Sequence, residues 1–340
     1  MTKRYDNIQI LRVLACLGVL ITHLAPKMGA VGWAASLANL GAAGVYLFFL
    51  ISGFLACAER AEEKRGIVVY YIKRAFRILP LYYAVILYNM ALHGLILKDV
   101  PPDPGGLYWL RYFLCTSAFL PAPDNFWGNL SATWTISLFL VFYLCVPLLK
   151  KAVRGVKSGI GLYLAALTLR YAWAGLGLSS YMMFFHYLHF FVLGMLVWQL
   201  ARRLGPARGA MAIAGLAASI WLILRATGQQ MDPFLPWSWA FAAGTLLTGG
   251  FSWGREKAGK GALVLQKGVS LLDSYSYSIY LVHAVALDAV VLLSAHFSLS
   301  GPAVLLLTLS LTAAGCLAAR YLVERPAQKL GRRLVDAVRI

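Results

Sequence analysis

Ten long stretches of apolar residues, nearly free of charge, divide the chain. They lie near residues 8–26, 39–57, 76–97, 132–150, 158–176, 181–201, 209–227, 236–253, 271–293 and 302–322. A helix needs about 20 apolar residues to cross the roughly 30 Å hydrocarbon layer of a bilayer, and each stretch is close to that length. The pattern therefore predicts an all-α, polytopic integral membrane protein with about ten transmembrane helices.

The basic residues predict how these helices are oriented, because cytoplasmic loops of membrane proteins collect Lys and Arg. If the N-terminus is inside, the cytoplasmic segments hold 24 Lys and Arg residues, whereas the outer ends and loops hold five. We therefore expect both termini to be cytoplasmic. The long segment 98–131, rich in Pro, Gly and aromatic residues, would then lie outside.

The composition agrees with a membrane protein. Hydrophobic residues make up 60% of the 340 residues and charged residues only 13%, which excludes ordinary cytosolic, disordered and coiled-coil classes. The net charge of +18 would suggest a nucleic-acid partner in a soluble protein. In a membrane protein this excess of basic residues instead reflects the cytoplasmic loops, and we expect no nucleic-acid partner. Ten spans leave room only for short loops, so we expect a single transmembrane domain over residues 1–340, with no appended soluble domain.

Arg12 and His23 lie within the first apolar stretch, 11 residues apart. At about 100° and 1.5 Å per residue, this spacing places both side chains on one helix face, about 16 Å apart along the axis. Ionisable groups inside a bilayer are costly and commonly functional. The pair therefore indicates a polar cavity with Arg12 near its cytoplasmic end and His23 near its outer end. Alternatively, each side chain extends to the nearer interface and has no catalytic role.

A basic stretch that follows the second apolar stretch contains Lys73, Arg74 and Arg77. Arg74 and Arg77 share a helix face, since residues three apart on a helix are neighbours. Paired guanidinium groups at a cytoplasmic helix end suit bidentate recognition of phosphate. The alternative is simple anchoring to the cytoplasmic leaflet, including its anionic lipids.

Further polar side chains fall within the spans and predict an internal polar surface, because they cannot all face lipid. The candidates for lining a substrate cavity are Ser52, Trp134, Ser137, Tyr277, Tyr280 and His283. His186 and His189 are three residues apart and are further candidates, although a structural hydrogen-bonding role is the alternative for these histidines. With no third ligand near them and no CxxC pair among five scattered cysteines, we expect neither a metal site nor a disulfide framework.

Taken together, these segments resemble the membrane-bound acyltransferase-3 family, which modifies bacterial surface glycans. The resemblance rests on Arg12-x10-His23, Phe48-Phe49-x-x-Ser52-Gly53-Phe54, Arg74-x-x-Arg77 with Pro80, Trp134-x-x-Ser137, Ser276-Tyr277-x-Ile279-Tyr280-x-x-His283 and Glu324-Arg325-Pro326. Three residues, at two places in the chain, depart from the family pattern. Gln9 stands where many members have Asp, and Phe139 and Leu140 stand where many have acidic residues.

The resemblance implies an enzyme of the bacterial cytoplasmic (inner) membrane that uses acetyl-CoA or another acyl-CoA as donor. The acyl group would pass to a sugar hydroxyl of a surface or exported glycan, or of its lipid-linked precursor. His23 would act as general base, since an unperturbed histidine pKa of about 6.5 suits neutral pH. The alternative mechanism is a transient acyl-histidine intermediate. Arg12 would stabilise negative charge or position the donor, whose phosphates would contact Lys73, Arg74 and Arg77.

An acidic residue is expected to orient His23, and Asp288 lies at a comparable depth in the ninth stretch. The competing function is a transporter or flippase for a glycan or lipid carrier, with the same residues lining a passage and no covalent chemistry. Inverted internal repeats would favour a transporter, and the sequence shows no convincing repeat.

Overall fold

The computed structural model describes residues 6–58, 64–98, 106–116, 128–176, 183–248 and 260–338. These ranges are helical and contain no β-strand. The predicted all-α class is thus confirmed. Of the outer segment 98–131, only residues 98, 106–116 and 128–131 fall inside the described ranges.

Thirteen α-helices follow one another in the described ranges. They are α1 (Asp6–Lys27), α2 (Gly32–Leu40), α3 (Ala43–Ala58), α4 (Lys64–Asn89), α5 (Gly106–Phe113), α6 (Trp134–Ala152), α7 (Val156–Gly175), α8 (Phe184–Arg203), α9 (Pro206–Ala226), α10 (Leu235–Leu247), α11 (Lys260–Phe297), α12 (Gly301–Ala318) and α13 (Arg325–Val338). A π-helical segment, Met90–Leu97, continues α4, and another, Ala319–Glu324, joins α12 to α13. A 3-10 helix, Gly128–Thr133, precedes α6.

The helices make this a multi-pass membrane protein. Within the described ranges, eight helical segments are long and apolar enough to cross a bilayer. Each of the ten predicted apolar stretches overlaps a helix, but α7 and the 13-residue α10 are not among the eight. The count of about ten spans and the cytoplasmic termini therefore remain predictions.

Helices α3 and α8 approach each other through glycine. A Cβ atom at Gly53 would overlap the carbonyl oxygen of Phe191, and one at Gly194 would overlap that of Leu50. Small residues permit such close packing between membrane helices, where van der Waals contact is a main source of stability. The contact holds α3, which carries Ser52, firmly against the interior of the bundle.

Replacing Gly53 by Ala should destabilise the protein by about 1–3 kcal/mol, because the added methyl group has no room against the Phe191 backbone. Gly161→Ala on α7 is the matched control, since a Cβ there meets no atom within 4 Å. Thermal melting of the two variants in detergent checks this. Equal melting temperatures would show that the close approach of α3 and α8 is not important for stability.

Candidate active site

A cleft opens between α1, α3, α4, α6 and α11. Its empty volume is about 780 Å³, which includes open solvent at its mouth. Six of the predicted site residues line it, namely Arg12, Ser52, Arg74, Arg77, Tyr277 and Tyr280. The helices that carry them are far apart in sequence, so the fold brings together residues that the sequence only marked separately.

The cleft combines three guanidinium groups with largely apolar walls. Side chains such as Val45, Phe48 and Ile136 supply the apolar surface. The guanidinium carbon of Arg74 lies 5.4 Å from the ring centre of Tyr70 and 4.9 Å from that of Tyr143. Cation–π contacts of this kind hold a guanidinium in place. The cleft therefore suits a ligand with both anionic and apolar parts.

Arg12 is paired with Asp273, a residue of α11. Its Nη1 lies 2.7 Å from Oδ1 of Asp273, and Gln9 Nε2 donates to Oδ2 of the same carboxylate at 3.2 Å. The side chains of Arg12 and Asp273 are only 16% and 11% exposed, respectively. Gln9, which stands where many family members have Asp, thus contacts a carboxylate that comes from another helix. Asp273 was missed as a site residue, although the sequence shows it to be an acid within a nearly uncharged span.

His23 contacts His283 of α11. Nδ1 of His23 lies 2.9 Å from Nε2 of His283, and Nδ1 of His283 lies 3.0 Å from the Ile279 carbonyl oxygen. A carbonyl oxygen only accepts, so His283 donates from Nδ1. With His283 neutral, its Nε2 accepts the proton of His23 Nδ1, and the lone pair of His23 resides on Nε2. The histidine pair thus leaves one basic nitrogen on His23.

The expectation that Asp288 orients His23 is wrong. Its Oδ2 lies 2.9 Å from Nε2 of His93, on the π-helical segment after α4. Asp288 follows His283 by five residues, which turns it about 140° around α11 from the side that faces His23. His283, rather than a carboxylate, is the residue that orients His23.

Arg12 and His23 both contact α11, but only Arg12 lines the cleft. Between them, Cys16 Sγ lies 3.5 Å from the Ser276 carbonyl oxygen, so the α1–α11 interface is continuous. Tyr280 links the two regions, since it lines the cleft and its ring centre lies 6.1 Å from that of His283. The cleft and the histidine pair thus lie along the same α1–α11 interface, with His23 about three helical turns from Arg12.

The α6 residues of the predicted cavity lie elsewhere. Trp134 is nearly buried, with its ring centre 5.3 Å from that of Tyr187, and Ser137 is fully buried. Neither lines the cleft, whereas Thr135 does, and its hydroxyl shares a 2.9 Å hydrogen bond with Tyr280. Trp134 and Ser137 therefore support the wall of the cleft from behind.

The other predicted histidines form a separate cluster. Nε2 of His186 lies 3.3 Å from Nη2 of Arg170, which also forms an ion pair with Asp232. His189 is completely buried nearby. Neither histidine joins the cleft. Within the part of the chain that the structure describes, no group of three or more His, Cys, Asp or Glu side chains is arranged to hold a metal ion.

The sequence profile of the acyltransferase-domain family matches residues 5–321. Acyltransferase MdmB of Streptomyces mycarofaciens is 30% identical over 163 residues, which are 45% of this chain and 41% of MdmB. The exopolysaccharide production protein ExoZ of Rhizobium meliloti (strain 1021) is 27% identical over 311 residues, 86% of this chain and 92% of ExoZ. No solved structure matches the chain significantly.

The family profile covers all five helices that form the cleft and both members of the histidine pair. The aligned part of MdmB is less than half of that protein, so MdmB alone does not define the activity of this chain. The profile match is nearly complete along the chain and does not depend on either relative. The chain belongs to the acyltransferase-3 family.

Proposed function

We propose that this enzyme transfers an acetyl group from cytoplasmic acetyl-CoA to a sugar hydroxyl of an exported or surface glycan, or of its lipid-linked precursor, in a bacterial cytoplasmic membrane. The observation that carries the proposal is one continuous α1–α11 interface, with an arginine-lined cleft at one end and a histidine with a basic nitrogen at the other. The name of ExoZ, an exopolysaccharide production protein, supports a glycan acceptor.

The cleft fits the donor in this proposal. Coenzyme A joins a phosphate-rich nucleotide to a long neutral arm that ends in the thioester. Arg74 and Arg77 would bind phosphate through charge-assisted hydrogen bonds, and the apolar walls would contact the arm. The arm would then extend past Tyr280 toward His23.

His23 would act on the acceptor. Its Nε2 takes the proton of the sugar hydroxyl while the oxygen attacks the thioester carbonyl carbon. The C–S bond then breaks, the proton returns to the leaving sulfur, and the products are an acetyl ester and CoA. His283 keeps Nδ1 of His23 hydrogen-bonded throughout. A transient acyl-histidine would use the same nitrogen.

Arg12 has a different role from His23 in this scheme. The two residues are about 16 Å apart along α1, so the Arg12 guanidinium does not contact the carbon that reacts beside His23. It lies in the cleft with Arg74 and Arg77. Arg12 would therefore position the donor.

Mass spectrometry of surface glycans tests the reaction. Cells that lack the gene should lose an acetyl mass of about 42 Da from one glycan, and the wild-type gene should restore it, but His23→Ala should not. Glycans of unchanged mass that fail to reach the surface would instead indicate a transporter. No change in mass or export would contradict the proposal.

Substituting Lys for Arg at both 74 and 77 should weaken acetyl-CoA binding about tenfold or more, since Lys keeps the charge but loses the planar fork. Arg154→Lys is the matched control, because Arg154 is exposed and its side chain donates from Nε to the Lys151 carbonyl oxygen. Isothermal titration in detergent measures the affinity. Unchanged affinity in the double Lys variant would show that these arginines do not bind the donor and only orient the helix in the membrane.

A further inference from the structure

A second cleft lies beside the first, between α4, α11, the segment Ala319–Glu324 and α13. Its empty volume is about 1,030 Å³, which includes open solvent at its mouth. Four basic residues line it, namely Lys73, Arg77, Arg320 and Arg332. Its one acidic side chain, Glu324, is buried and accepts a 2.7 Å hydrogen bond from Ser278. The cleft is therefore strongly cationic.

The surrounding contacts hold this cleft in shape. Gly331 of α13 lies so close to α4 that a Cβ there would come within 2.8 Å of the Phe76 Cβ atom. Arg320 donates from Nη1 to the Ser274 carbonyl oxygen at 3.2 Å, and its guanidinium carbon lies 4.6 Å from the Tyr275 ring centre. A cation that is fixed before a ligand binds loses less side-chain entropy on binding.

The two clefts share Arg77 and Tyr277. The two clefts are therefore adjacent, and a ligand that spans both would place its neutral part in the first and its most anionic part in the second. Coenzyme A has this shape. Its nucleotide end carries a diphosphate and a separate 3′-phosphate, and guanidinium groups recognise phosphate well.

We propose that the second cleft binds the 3′-phosphorylated nucleotide of acyl-CoA, and that Arg320 and Arg332 contact the 3′-phosphate. This inference rests on the proposed function, because it assumes an acyl-CoA donor. It adds two residues from the C-terminal part of the chain to the donor site, beyond the arginines of α4. It also gives α13 a role in donor affinity.

An anionic lipid headgroup carries the same phosphate chemistry, so the experiment must separate the two ligands. The full-length protein is placed in nanodiscs of zwitterionic phosphatidylcholine, with and without phosphatidylglycerol. The affinities for acetyl-CoA and for 3′-dephospho-acetyl-CoA are measured in each. The variants are Arg320→Gln and Arg332→Gln, with Arg333→Gln as control, because Arg333 is exposed on α13 and outside the cleft lining.

In zwitterionic nanodiscs, the wild type should bind acetyl-CoA about tenfold more tightly than the dephospho form, since the 3′-phosphate forms charge-assisted hydrogen bonds. Arg320→Gln and Arg332→Gln should remove that difference by weakening acetyl-CoA alone, and Arg333→Gln should keep it. A wild type that binds both donors equally would overturn the inference and leave the proposed function intact. So would an effect of the variants seen only with phosphatidylglycerol. A wild type that binds neither donor would overturn both.

Discussion

Replacing His23 by Ala is expected to lower acyl transfer by at least about 10²–10⁴-fold, the range that a general base contributes. With His283 neutral, the free lone pair of His23 resides on Nε2, because His283 donates to the Ile279 carbonyl oxygen and accepts from His23 Nδ1. Acetyl-CoA binding should be retained, since the donor's phosphates would lie in the clefts at the other end of the interface. Transfer is measured with labelled acetyl-CoA and equal amounts of folded protein.

His296→Ala is the matched control for this variant. His296 is an exposed histidine near the end of α11, and its Nδ1 lies 3.0 Å from the Leu292 carbonyl oxygen. It should transfer at the wild-type rate. If His23→Ala also transfers at that rate, His23 is not the base, and the histidine pair has only a structural role.

Loss of Arg12 should abolish transfer and also destabilise the fold. Arg12→Gln leaves the Asp273 carboxylate inside the membrane without its cation, and breaking a buried pair in this way costs about 3–5 kcal/mol. Asp273→Asn alone leaves the Arg12 cation without its carboxylate and should also destabilise the fold. The double variant Arg12→Gln with Asp273→Asn removes both charges, so it should recover much of the folded yield.

The double variant separates stability from function. It keeps a neutral pair at the α1–α11 interface but lacks the guanidinium that faces the cleft, so its transfer should stay undetectable despite its folded yield. Size-exclusion chromatography measures the yield and the labelled donor measures transfer. Transfer near the wild-type rate in the double variant would show that Arg12 only balances the charge of Asp273.

The sequence predicted the helices well because each apolar stretch has to satisfy its backbone within itself in lipid. It also placed Arg12 and His23 on one face, which follows from helical period alone. It could not identify the helix that packs against that face. Asp273 and His283, the partners of these residues, belong to a helix about 260 residues later in the chain.

Helix α6 shows the same limit. Thr135, Phe139 and Tyr143 line the cleft at a spacing of four residues, whereas Trp134 and Ser137 lie on other faces of the same helix. The sequence marked Trp134 and Ser137 because Trp134-x-x-Ser137 resembles the family's pattern in this span. Which side of α6 faces the cleft depends on its packing against α3, α4 and α8, which no local pattern encodes.

The proposed reaction has its donor on the cytoplasmic side and an acceptor that His23 activates. Inside-out and right-side-out membrane vesicles given labelled acetyl-CoA test both parts at once. Label should enter the glycan fraction only when acetyl-CoA reaches the cytoplasmic face, and His23→Ala vesicles with equal protein should incorporate about 10²–10⁴-fold less. Equal incorporation by His23→Ala, or by vesicles supplied only at the outer face, would contradict the account.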